Sequence, residues 1–186
     1  MRFLVRLVPL GWERLPFLSA VRSVAANLGA RAVNPKWTSY GALEMDVFAP
    51  SRQDFQVVLA ALEPLGRVEF TTDLQAPPRF LPRDDAIREA VSLFDAERFW
   101  EAHEVLESQW RASEGDEKRL LQGLILVCAA FVHHQKGEEE VALGIVRRAL
   151  PLLVWEGDLY HRIDVSALRE RLSREPGIGS LSLFEV

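Results

Sequence analysis

Three prolines within nine residues, QAPPRFLPR at 75–83, interrupt this 186-residue chain more decisively than any other segment. Proline has no N–H to give a helix or an inner strand, so no regular element is expected to run through this stretch. The character of the chain changes across it. Residues 1–82 carry 9 Lys and Arg against 7 Asp and Glu, a net charge of +2, whereas 83–186 carry 13 against 20, a net charge of −7. A hydrophobic content of 48% is enough for a real core, and the length fits one large or two small domains.

Before the prolines, strand and helix signals alternate. Residues 2–8 set Phe3, Val5 and Leu7 against Arg2, Leu4 and Arg6, the two-residue period of a strand with one better-buried face. Residues 13–28 repeat Leu15, Leu18, Val21, Val24, Ala25 and Leu28 at helical steps, and Gly29 supplies a stop. Residues 31–37 and 42–48 read as two strands around Ser39, Tyr40 and Gly41. Ser51 with Asp54 three positions on makes a capping signal for a helix that Gly66 would close, and 67–72 is a last strand. Strand, helix, strand, strand, helix, strand is the split order of a ferredoxin-like domain. That architecture assigns no activity by itself. Arg14, Arg22, Arg31 and Lys36 read as a solvated face.

After the prolines every periodic segment is helical. A helix is expected over 84–94, a second from a cap at Asp95 to about Ala112, a third over 117–136, and a fourth from Glu138 to Leu153. Asp164 can cap a final helix that Pro176 and Gly177 would stop. The third helix is apolar on almost every side, as the central member of a bundle would be, and Gly123 would let a neighbouring helix approach it. Cys128 lies in that apolar run and reads as a buried structural thiol. The fold class is thus α+β: a ferredoxin-like split β-α-β domain over 1–74, a Pro-rich linker over 75–83, an all-α helical bundle over 84–175 and an extended tail over 176–186. The tail is a candidate strand for the edge of the first domain's sheet.

The chemistry concentrates in FDAERFWEAHEVLESQWR, residues 94–111. At about 100° per residue, Ala96, Phe99, Trp100, Leu106 and Trp110 point within about 60° of His103, and Glu107 lies about 40° round from it. A carboxylate turned toward a core must be paired, hydrogen-bonded, protonated or bound to metal. His103, Glu107, Trp100, Trp110 and Arg111, with Glu104 at the stripe's edge, are therefore the expected polar cluster. In one reading it is a structural hydrogen-bond network. In another it binds a small ligand. In a third, His103 and Glu107 join His133 or His134 to hold a divalent ion, with Glu104 as a base toward bound water. Here Glu107 stands where the second histidine of a HExxH zinc site would be.

With these residues on the page, the second half resembles the domain of unknown function 309 family of small helical proteins. The likeness is carried by His103, Glu104 and Glu107 with Trp110, Arg111 and the preceding Phe99, and by QGLILVCAAFVHH at 122–134. More weakly, IDVSALRERL at 163–172 looks like the family's closing helix. The resemblance spans roughly 83–174, implies a several-helix bundle, and brings no established activity with it.

No GxGxxG, GxxxxGK or GxSxG element is present, which disfavours nucleotide-dependent and nucleophilic catalysis. The acidic second half is a poor match for nucleic acid. No apolar run approaches a membrane span or a secretory signal, and the single cysteine does not ask for an oxidising compartment. The expectation is a cytoplasmic, non-enzymatic protein with no resident cofactor, no nucleic-acid or membrane partner, and a small ligand or a protein as its partner. Its rival is a metal-dependent hydrolase using His103, Glu107 and a central-helix histidine.

Overall fold

The computed structural model describes residues 1–77, 81–157, 159–178 and 181–184. The chain divides into two compact units, Met1–Pro77 and Pro78–Val186, and is α+β: an antiparallel sheet with helices, followed by a helical region.

The first unit runs β1 Arg2–Pro9, α1 Arg14–Asn27, β2 Arg31–Trp37, β3 Leu43–Phe48, α2 Arg52–Leu62 and β4 Gly66–Asp73. Its four strands pair antiparallel in the order β2-β3-β1-β4, so the two central strands, β3 and β1, come from different halves of the unit. The two-residue period delivers Phe3, Val5 and Leu7 to the same face as Leu43, Met45 and Val47. Against that face α1 buries Phe17, Val21 and Ala25 and α2 buries Phe55, Val58 and Leu62. Phe3 and Phe55 stack with ring centroids 3.8 Å apart. The Ser51 cap forms as its spacing requires, its hydroxyl accepting from the Asp54 amide at 3.1 Å.

Gly66 plays a different part from the helix stop its position implied. The helix has already ended at Leu62, and Gly66 opens β4, where a Cβ would stand 2.8 Å from the Val8 carbonyl oxygen and 3.0 Å from the Phe17 ring. Of the four residues read as a solvated face, the lysine also differs. Lys36 is buried and pairs with Glu44 at 2.5 Å, whereas Arg14 and Arg31 are exposed and lie over the rings of Trp37 and Phe48.

The second unit comprises α3 Arg83–Asp95, α4 Phe99–Arg111, α5 Gly115–Gln135, α6 Glu139–Ala149, a 3-10 turn Leu150–Leu152, the two-residue strands β5 Leu159–Tyr160 and β6 Ile163–Asp164, and α7 Val165–Ile178. α5 packs against both α4 and α6 and buries a broad face from Leu120 to Gln135, while the stripe of Gln122, Leu126, Ala129 and His133 is half-buried. The element that approaches closely at Gly123 is the 3-10 turn, through Leu152 and Leu153, rather than a helix. Cys128 is buried there, and burial pushes its thiol up to about 12. Among the described residues no helix is long and apolar enough to cross a membrane.

Three boundaries depart from the sequence reading. Asp95 ends α3 instead of capping α4. Glu97, at φ +54°, closes α3 with the Arg98 amide bonded to the Leu93 carbonyl and its own amide to the Phe94 carbonyl, so Ala96 belongs to a turn. This is the two-bond cap that glycine usually makes, here made by glutamate. α7, capped by Asp164 as expected, runs through Pro176 and Gly177 to Ile178; a proline within a final turn removes one backbone donor and leaves the preceding turns bonded. Finally, residues 181–184 form no strand, and residues 179–180 and 185–186 of the expected tail lie outside the described residues. Leu181 is buried in the helical core, with Leu183 and Phe184 packed on it.

Candidate functional site

α4 presents two stripes. Its buried residues are Phe99, Ala102, Leu106 and Gln109, and at about 100° per residue the centre of that set lies about 80° away from His103. The stripe expected from the sequence centres on His103 and takes in Ala96, Phe99, Trp100, Leu106 and Trp110. Both tryptophans are half-buried and pack at the core's margin, whereas small Ala102 and polar Gln109 point inward. Gln109 is accommodated because its side-chain amide donates to the Leu81 carbonyl at 3.3 Å.

The second stripe therefore flanks the core rather than entering it. It carries Trp100, His103, Glu107 and Trp110, separated by three, four and three residues. His103 lies parallel to the Trp100 ring at 5.5 Å, and its Nδ1 is 3.4 Å from Glu104 Oε1. Its side chain is 19% exposed. Glu107 is 34% exposed and bonded to Arg111 one turn on, at 2.6 Å. That is a helix-surface ion pair. The expected core-facing Glu107 is thus corrected: its charge is met by Arg111 and water, and needs no buried partner. Lys118 Nζ sits 4.6 Å from the centre of the Trp110 ring.

Two ring nitrogens in this stripe stand out. His103 Nδ1 and Trp110 Nε1 are both buried and make no hydrogen bond.

The central-helix histidines are not brought to this stripe. His133 Nδ1 meets Glu138 Oε2 at 2.5 Å and His134 Nδ1 meets Glu139 Oε2 at 2.7 Å, both across the turn between α5 and α6. Among the described residues no group of three or more His, Cys, Asp and Glu side chains is placed to hold a metal ion. The ligand set of His103, Glu107, His133 and His134 is corrected accordingly, because each of these carboxylate and imidazole groups has a nearer partner on its own helix or the adjoining turn.

A further polar cluster went unread in the sequence. Arg83 pairs with Glu117, and the Tyr160 hydroxyl donates to Glu117 Oε1 at 3.0 Å. His161, at φ +52° in the β5–β6 turn, pairs with Asp84 at 2.7 Å. An open recess of about 290 Å³ lies beside it, lined by Asp84, Arg88, His161 and Arg162. These residues come from three separate segments, so no spacing rule joins them.

The Arg83 hydrogen bond holds the Glu117 carboxyl below its usual 4.5, while burial and the Glu117 bond push the Tyr160 phenol up. A carboxyl depressed on folding contributes stability above its ordinary pKa, and that stability is lost as pH falls through the folded value. The Glu117→Gln variant is expected to be less stable than the parent at about pH 6, with the gap narrowing toward about pH 3. Melting temperatures of both proteins across that range check it; a gap independent of pH would contradict it.

Comparison with known proteins locates one region. No curated protein and no solved structure matched the chain. The family likeness read over 83–174 is narrower, and the closing helix at 163–172 lies outside it. Residues 87–145, which hold about two thirds of α3, the whole of α4 and α5 and more than half of α6, match the family described as Domain of unknown function (DUF309).

Proposed function

We propose that the helical unit is a binding module without a reaction of its own, and that it recognises its ligand through the flanking stripe of α4. The observation that supports this is a pair of buried ring nitrogens: Trp110 Nε1, which makes no hydrogen bond, and His103 Nδ1, which faces the Glu104 carboxylate at 3.4 Å without bonding to it. A buried polar group left unpaired costs about 1–3 kcal/mol, and native proteins keep few of them. Seven residues apart on one helix, the two are separated by about 10 Å. The indole can only donate, so the ligand brings acceptors: carboxylates or amide carbonyls. Arg111 and Lys118 favour a negative one. In this reading the ferredoxin-like first unit is an interaction or packing module, the protein works in the cytoplasm, and no metal takes part.

Nitrogen-15 spectra of the indoles test it. The Trp110 resonance, identified by its loss in Trp110→Phe, is expected to move on titration with a small dicarboxylate such as succinate or with a blocked dipeptide amide, while that of Trp12 stays. No movement with either probe would sink the reading. Element analysis of protein purified without chelator provides the other arm: stoichiometric metal lost in both His103→Ala and Glu107→Gln would restore the metal-dependent alternative.

A further inference from the structure

Residues 181–184 are seated on the helical unit as a bound peptide would be. Leu181 is buried in the core, and the Phe184 ring lies 5.9 Å from Phe94 and 5.6 Å from Phe131, centre to centre. The polar atoms are matched as well. The Leu181 amide donates to Glu139, a carboxylate that also holds His134. The Ser182 hydroxyl accepts from Arg171 at 2.6 Å and donates to buried Glu175 at 2.7 Å, and the Arg171 guanidinium lies 5.4 Å from the centre of the Phe184 ring. Two apolar anchors three residues apart, with side chains serving the backbone and hydroxyl between them, are the components of a peptide groove.

The attachment is made by side chains. Among the described residues no backbone-to-backbone hydrogen bond joins 181–184 to the helices, in contrast to the strand pairing on both edges that holds β1 in its sheet. Such a segment can lift without breaking any helix, which places it at the low end of local stability.

We propose that residues 181–184 are a displaceable strap, closing in cis a groove whose occupant in trans is an extended segment of the same chemistry: a leucine and a phenylalanine three residues apart. Cis occupancy competes with the trans peptide, so the groove's apparent affinity falls by the fraction of time that the strap is seated.

The probe is a fluorescent peptide of sequence Ser-Leu-Ser-Leu-Phe-Glu-Val, added to the full chain and to its Leu181→Ser/Phe184→Ser variant. Binding to the variant at least about tenfold tighter than to the parent is the expected result, since the variant's own strap no longer competes. Absence of binding to the variant, or equal binding to both, overturns the proposal. Hydrogen exchange of the unmodified chain keeps the test valid if the variant folds poorly. The Leu181 amide should exchange at least about tenfold faster than the protected amides of α5. Exchange at the rate of α5 would make the segment an integral part of the core, and no strap.

Discussion

Replacing Glu44 with alanine is expected to destabilise the first unit by about 3–5 kcal/mol, the cost of stranding buried charge. Arg6 is 2% exposed, Glu44 1% and Lys36 4%. One carboxylate oxygen of Glu44 takes Arg6 Nη2 at 2.8 Å, and the other meets Lys36 at 2.5 Å. Without Glu44, Arg6 keeps Tyr40 at 3.0 Å and a distant Glu69, and the Lys36 ammonium loses its carboxylate. Native domains hold only about 5–15 kcal/mol in total, so this single change removes a large fraction. Removing all three charges together, as Arg6→Met, Lys36→Met and Glu44→Leu, should recover most of the loss, because a buried ion triad is close to neutral against an apolar replacement of similar volume. Glu107→Ala, which breaks a surface pair, should cost only about 0.5 kcal/mol or less. Urea midpoints for the four proteins make the comparison; a Glu44→Ala cost near that of Glu107→Ala would mean that the triad is solvated.

The same pair of glutamates shows what sequence can convey. Glu44 alternates with Leu43 and Met45 in a strand and looks like a residue facing water; Glu107 falls near a helix's apolar residues and looks buried. The structure reverses both. Period alone tells which residues share a face, and it does so correctly for Phe3, Val5 and Leu7 and for the broad buried face of α5. Whether the opposite face meets water depends on partners far along the chain, such as Lys36 and Tyr40 around Arg6, and no local spacing records them.

Boundaries follow the same division. Ser51 with Asp54, and Gly29 and Gly137 at positive φ, signal their own roles through chemistry that few other residues supply. Glu97 makes the same left-handed cap as those glycines without their signature, and its carbonyl is held by the Gln135 side chain at 3.0 Å from another helix. A tertiary contact selected that backbone, so the break between α3 and α4 was not visible locally. In α4 the expected stripe around His103 takes in Trp100 and Trp110 and leaves out Ala102 and Gln109, yet a half-buried ring suits the margin of a core, where the apolar body packs and the polar edge stays available. That displacement of about 80° moves His103 from a bundle centre to an accessible flank, and with it the expectation from internal network to recognition face.

Phe131→Ala is expected to cost the helical unit about 3–5 kcal/mol, the range for deleting a fully buried aromatic side chain. Phe131 has no exposed surface. Its ring lies 5.1 Å from Phe94 edge-on, 5.0 Å from Phe99 and 5.6 Å from Phe184 edge-on, so three further aromatic contacts are lost with it, each worth about 0.5–1.5 kcal/mol beyond burial. Phe131→Leu keeps most of the volume and should cost about 1 kcal/mol. The two substitutions also separate core from strap. Phe94 and Phe99 remain packed on α3 and α4 in either variant, but Phe184 loses one of its two aromatic neighbours. Protection of the Leu181 amide should therefore fall before that of α5 in Phe131→Leu, and together with it in Phe131→Ala. Urea unfolding gives the totals and hydrogen exchange gives the order; a loss below about 1 kcal/mol for Phe131→Ala would show that the site collapses around the missing ring.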